Sequence, residues 1–157
     1  LTNEEFLKMQ SHSTAGYKLF RNSTGEILQA ASIVAYEHHE KYNGKGYPRG
    51  LKGNKIHIYG RITAVADVYD ALGSDRVYKK AWADDRIEKL FFEEKGEHFD
   101  PVLVDLFLNN IQKFKRIRDK LQDVITAEKK DGENKEKKKE KKKKKKKKEK
   151  KKKKDKN

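Results

Sequence analysis

Two adjacent histidines, His38 and His39, close a stretch of helical pattern, and the residues after them restrict the chain more than any other feature. A glycine-rich loop comes next, with Gly44, Gly46, Tyr47, Pro48, Gly50 and Gly53, and then a second helical segment carrying Asp67 and Asp70. A basic turn with Arg76, Lys79 and Lys80 comes after it. Imidazoles and a carboxylate brought together by two helices are ligands for a first-row metal ion. Adjacent helical residues point about 100° apart, so His38 and His39 cannot do the same job. Two metals, or one ligand and one supporting group, are both consistent with the pair. Arginine can grip a phosphate through two donors and lysine adds a point charge. The chemistry of the stretch alone suggests a metal-dependent site acting on a phosphoester.

The rest of the chain reads as helices. Thr2 and Glu5 form a capping-box pattern, with Leu1 and Phe6 placed for a hydrophobic staple, and Phe6 and Met9 lie on one face. This first helix is expected to fade near His12 and Tyr17, with Asn22, Ser23 and Gly25 as breakers. A second helix over 27–40 is expected to bury Ile27, Leu28, Ala31, Val34 and Ala35. The loop spans 41–59. A third helix over 60–72 should line one side with Ile62, Val65, Ala66 and Tyr69, while Asp67 and Asp70, three apart, share a neighbouring side. Asp84 or Asp85 is expected to cap a fourth helix with Ile87, Leu90 and Phe91 inward and Gly96 as its stop. Asp100 caps a last helix with Pro101 in its first turn, running to about Thr126 through Val102, Leu106, Ile111, Phe114, Ile117 and Leu121. No strand pattern rises above the helical one. The fold class is therefore all-α, a bundle of about five helices over residues 1–127. His57 is expected at the surface, His98 in a structural role, and Trp82 as an anchor for the turn.

Charge is distributed unevenly. Of the formal net charge of +15, +14 falls in residues 135–157, where 18 lysines face Glu136, Glu140, Glu149 and Asp155. The preceding residues carry 22 Lys+Arg against 21 Asp+Glu, so the folded part is nearly neutral. Residues 128–157 have low complexity and little apolar content, and are expected to be a disordered lysine-rich tail. The chain has no cysteine, which excludes disulfides and thiolate metal sites and fits a reducing, cytoplasmic setting. No apolar run is long enough to span a membrane.

The segments HHE at 38–40, NGKGYPRGLKG at 43–53, RITAVADVYDAL at 61–72, SDR at 74–76 and YKKAW at 78–82 closely resemble the HD-GYP family of bacterial phosphodiesterases. The family hydrolyses cyclic di-GMP to linear pGpG or GMP in signal transduction. The stretch LTNEEFLKMQSHSTAG resembles the family segment that precedes the paired histidines. The resemblance implies metal ligands at His12, His38, His39 and Asp67, and substrate contacts at Asp70, Arg76 and Lys79. It also implies a loop at Gly46, Tyr47 and Pro48 that borders the site or meets a regulatory or GGDEF-type partner domain. Two or three iron- or manganese-like ions per intact site, a cyclic dinucleotide substrate and a possible homodimer are implied in the same way. Three positions depart from the family pattern: Ser13 and Val77 where proline is usual, and Gly73 where threonine is common.

The His–Asp dyad for which the family is partly named is not found in Leu1–Ser11, which holds neither residue type. The resemblance is thus expected to cover the C-terminal two-thirds of such a domain, residues 1 to about 122, in a piece of a longer protein. The alternative reading is a catalytically incomplete remnant that binds a nucleotide or a partner.

The lysine run can be a polyanion tether or an extension with no selected partner. Binding to nucleic acid or anionic vesicles that disappears when residues 129–157 are deleted, and weakens steeply with salt, supports the tether. Salt-insensitive binding counts against it.

Overall fold

The computed structural model describes residues 2–75 and 80–121. The lysine-rich tail, the expected helix end at Thr126, Leu1 of the expected staple, and Arg76 and Lys79 lie outside the described residues. The chain divides into two units, Leu1–Gln112 and Lys113–Asn157. The described residues are helices and loops with two isolated bridges, Asn43 with Lys52 and Lys95 with Phe99, as the all-α reading requires.

Helix α1 runs over Asn3–Phe20 and opens with the anticipated capping box. The Glu5 N–H donates to Thr2 Oγ1 at 3.2 Å, and the Thr2 N–H donates to Glu5 Oε2 at 2.7 Å. The helix is longer than its sequence suggests, so His12 sits in its interior and not near its end. Gly16 does not break it. A Cβ on Gly16 would lie 2.9 Å from Ala35 Cβ, so the missing side chain serves close packing against α2. Tyr17 and Tyr36 stack across the same seam with centroids 4.1 Å apart.

Helix α2 spans Glu26–Glu37 and stops before the histidine pair, with His38 as its C-cap. The expected inner face is corrected here. Ile27 is 85% exposed and Leu28 is also exposed, while Ser32 and Glu37 are buried. The seam with α1 closes where Gly16 meets Ala35 and Tyr17 stacks on Tyr36, and Ile27 and Val34 face a cleft instead. That cleft of about 400 Å³ is lined by Ile27, Ala31 and Val34 of α2 and by Tyr59, Ile62 and Thr63 of α3 (Ile58–Gly73).

Helix α3 starts at an unforeseen cap, since His57 Nδ1 accepts from the Tyr59 N–H at 3.1 Å. His57 is exposed, as anticipated. Val65 and Tyr69 point inward, but Ile62 and Ala66 are exposed, and Ala64 takes the buried place. Helix α4 spans Asp84–Glu93 with Ala83 as N-cap and no side-chain cap, so neither Asp84 nor Asp85 caps it. Both lie in the first turn, where negative charge suits the helix dipole. Helix α5, Pro101–Asn109, has the expected cap: Asp100 Oδ1 accepts from Val102 N–H at 2.8 Å and Leu103 N–H at 3.4 Å. The single long last helix does not form. Asn110 interrupts it, and residues 111–121 form a further helical stretch. Val102 and Leu106 are exposed because the buried face is Val104, Phe107 and Ile111.

The core gathers Val65 and Tyr69 from α3, Ile87 and Phe91 from α4, Phe99, and Val104, Phe107 and Ile111. Phe91 packs on Phe99 and Phe107 with centroids 4.6 and 4.7 Å apart. Trp82 packs against the edge of this core, and the Arg86 guanidinium covers its ring at 3.6 Å, which fits an anchor. Arg61 of α3 pairs with buried Asp100 and also donates to Asn54 Oδ1 at 3.1 Å, which links α3 to the start of α5.

Gly46 has no room for any other residue. A Cβ there would sit 2.2 Å from Lys41 N and 2.5 Å from Glu40 Cα, both backbone. Gly46→Ala is expected to destabilise the fold by about 3 kcal/mol, read as a loss in urea midpoint. An unchanged midpoint would show that the loop relaxes freely.

Candidate metal centre

The helices bring three histidines together. His12 comes from the interior of α1, His38 from the cap of α2 and His39 from the turn directly after it. The expectation that the adjacent histidines cannot share a job is thereby corrected: both lie past the end of the helix and their rings converge. One nitrogen of each lies within 4.8 Å of the others. The ring centroids are 3.9 Å apart for His38 and His39, 5.0 Å for His12 and His39, and 5.3 Å for His12 and His38.

The tautomers of two rings are set by their partners. His12 Nδ1 faces the Met9 carbonyl at 2.6 Å, and His38 Nδ1 faces the carbonyls of Val34 at 2.9 Å and Ala35 at 3.1 Å. A carbonyl only accepts, so each Nδ1 carries the proton and each neutral ring presents a lone pair at Nε2. Those two Nε2 atoms are 3.2 Å apart. Two lone pairs at that distance repel unless a proton or a metal cation lies between them. The separation is the one two neighbouring ligands have when each sits about 2.1 Å from a single ion. Metal-binding imidazoles characteristically donate their second nitrogen to a carbonyl or carboxylate, which fixes the ring. The donor set therefore fits a divalent first-row metal. The fully buried Ser13, where the family pattern has proline, also places its hydroxyl 3.4 Å from His12 Nε2.

His39 is held electrically neutral. Burial, followed by the proximity of His38 and His12, lowers its pKa to about 4, and the Asp67 carboxylate opposes the shift. Asp67 itself is exposed on α3 and outside the three-histidine set, although its charge is felt at His39 and at Tyr47. Asp70 is also exposed and accepts from Ser74 Oγ at 3.2 Å, a contact at the end of its own helix.

The loop reaches the histidines through Tyr47. Its ring lies 4.8 Å from that of His39 and 6.4 Å from that of Phe6, and its hydroxyl points at Met9 Sδ at 3.8 Å. The Tyr47–Pro48 bond is cis. Burial, and then the charge of Asp67, push the Tyr47 phenol above its ordinary pKa, so it remains a hydrogen-bond donor.

Two residues that sequence reasoning passed over organise this region. Glu40 is 1% exposed and accepts from the N–H groups of Arg49 at 2.8 Å and Leu51 at 2.9 Å. Glu37, also buried, accepts from the Arg49 guanidinium and from the His57 N–H. Their signal was available: two acidic residues at or just past a helix C-terminus, where the dipole disfavours them, directly before a glycine-rich loop whose N–H groups belong to no helix. His98, expected in a structural role, is stacked on Phe99 with centroids 4.2 Å apart, its carbonyl accepts from Tyr42 N–H at 3.0 Å, and its pKa is lowered to about 4 by burial, then Lys41, then His39.

Comparison with known proteins matches residues 1–103 to the HD domain. The chain is 44% identical over 123 residues to a 3'3'-cGAMP-specific phosphodiesterase of Vibrio cholerae, covering 78% of this chain and 24% of that protein. It is 41% identical over 117 residues to a cyclic di-GMP phosphodiesterase response regulator of Xanthomonas campestris, covering 74% and 31%. Against a cyclic di-GMP phosphodiesterase of Thermotoga maritima it is 41% identical over 108 residues, covering 69% and 29%. The chain spans about a quarter to a third of the length of these relatives. No helix among the described residues is long and apolar enough to cross a membrane.

The histidine shifts set a pH dependence. The folded values near 4 lie below the ordinary 6.5, so the unfolded chain binds more protons between them. Stability from these rings is complete above about pH 6.5 and is lost as pH falls towards 4. In metal-free protein the thermal midpoint is expected to drop across that window, and less steeply in His98→Asn. Equal slopes would remove His98 from the account.

Proposed function

From the premise that this chain belongs to the HD domain family, in its HD-GYP branch, we propose that it is part of a metal-dependent phosphodiesterase acting on cyclic di-GMP or a related cyclic dinucleotide. The observation that carries the proposal is the pair of Nε2 lone pairs of His12 and His38 facing each other at 3.2 Å, with both Nδ1 protons held by backbone carbonyls. An arrangement that is repulsive when empty becomes favourable around a cation. The relatives, named for cyclic di-GMP or 3'3'-cGAMP, supply the substrate class.

His12, His38 and His39 would hold the ion, with Asp67 added from α3. Iron or manganese suits a site of imidazole and carboxylate donors, and two or three ions would complete it in the longer protein. When bound, the metal supplies Lewis acidity and activates water for attack at phosphorus. The chain's own groups do the rest. His39 stays unprotonated at neutral pH and so keeps a lone pair ready. Tyr47 stays protonated at the site's edge and can donate to a phosphoryl oxygen. Asp70, Arg76 and Lys79 would hold the dinucleotide, the two cations through its phosphates.

Chain purified without oxygen is expected to carry iron or manganese, and His12→Ala/His38→Ala is expected to lose it, both read by elemental analysis. The longer protein of which this sequence is a part should then open cyclic di-GMP or 3'3'-cGAMP, with at least a hundredfold loss in the same double variant. Metal-free protein with no hydrolysis of either dinucleotide would overturn the proposal.

A further inference from the structure

Glu37 and Glu40 bracket the histidine pair in sequence, and both are buried. Burying a carboxylate is costly unless its lone pairs are satisfied. Placing it at a helix C-terminus adds an unfavourable interaction with the dipole. Apolar residues of similar volume would commonly serve stability as well or better. Both glutamates are instead satisfied almost wholly by one partner, the loop. Glu40 accepts from two loop N–H groups, Arg49 and Leu51. Glu37 accepts from the Arg49 side chain and from the N–H of His57, where the loop ends and α3 begins. The Arg49 guanidinium also lies 4.5 Å from the centre of the Tyr36 ring. Two residues before the first of those anchor points the loop carries Tyr47, whose N–H donates to the His39 carbonyl at 3.2 Å and whose ring lies against that of His39.

We propose that Glu37 and Glu40 are positioning residues that clamp the loop over the histidine pair, fixing the His39 ring through Tyr47 and setting the affinity of the site for a divalent metal. The metal part of this inference rests on the function proposed above; the clamp itself does not. A glutamine at position 40 could accept from only one of the two N–H groups and would turn an N–H towards the other. That substitution therefore tests the clamp with almost no change of volume.

Two readouts separate the clamp from the metal site. In metal-free chain, the ring protons of His39 should show a ring-current shift from Tyr47 by NMR, identified by its loss in Tyr47→Leu. Glu40→Gln is expected to reduce that shift by at least half while helical content by circular dichroism is retained. In a cobalt(II) titration, Glu40→Gln is expected to bind about 10- to 100-fold more weakly than the unaltered chain. Arg49→Met, at a partly exposed side chain, should move both readouts in the same direction by less, and decides the matter if Glu40→Gln does not fold. Arg49→Lys should restore part of the loss. Unchanged ring shifts in the variants would overturn the clamp. Failure of the unaltered chain to bind cobalt would overturn the link to metal affinity and the metal reading, while the ring shifts would still decide the clamp.

Discussion

The position of the histidine pair and of the loop beside it depends on a meeting of helix ends at Glu37. This residue closes α2, where its charge opposes the dipole, yet its carboxylate lies at the N-terminus of α3 and accepts from the His57 N–H. A negative charge that is unfavourable for one helix is favourable for the next. Gly60 makes the approach possible, because a Cβ there would sit 2.7 Å from Glu37 Cβ. The Arg61–Asp100 pair then ties the same end of α3 to the cap of α5 and so to the aromatic core. The histidine pair, one and two residues beyond Glu37, inherits its position from this junction.

Close approach is a second theme of the fold. Gly16 brings α1 against α2 and thereby places His12 beside His38. Gly46 lays the loop directly on the backbone of Glu40 and Lys41, which brings Tyr47 to His39. In both cases a glycine that local rules read as a breaker is used for distance. The centre is assembled less by long side chains than by backbones allowed to come near one another. The three imidazoles then have little freedom left, since two are pinned by carbonyls and the third lies half-buried against Tyr47.

Much of this was legible in the residues. The capping box of Thr2 and Glu5 and the Asp100–Pro101 start of α5 are local chemistry and formed as read. The grouping of His12, His38 and His39 was implied by the ordered motifs and is seen in the geometry. Inner and outer faces were read less well. Ile27, Leu28, Ile62, Val102 and Leu106 fit an apolar helical period but are exposed, while Ser32, Ala64 and Glu37 occupy buried places. Periodicity identifies an apolar stripe but not which neighbour it meets, and small residues win where helices must touch. Glu37 and Glu40 were missed because two acids at a helix end show a conflict with the dipole but not the loop groups, 9 to 20 residues on, that resolve it. Asn110 divides a run of helical pattern that continues on both sides of it.

The central claim is that the imidazoles of His12, His38 and His39 share one cation. X-ray absorption spectroscopy on the cobalt-loaded chain measures it directly, because scattering from the outer ring atoms counts imidazole ligands. The account predicts about three imidazole nitrogens at roughly 2.1 Å from the metal, falling by one in His12→Ala. A spectrum of oxygen ligands alone, unchanged by that substitution, would contradict it.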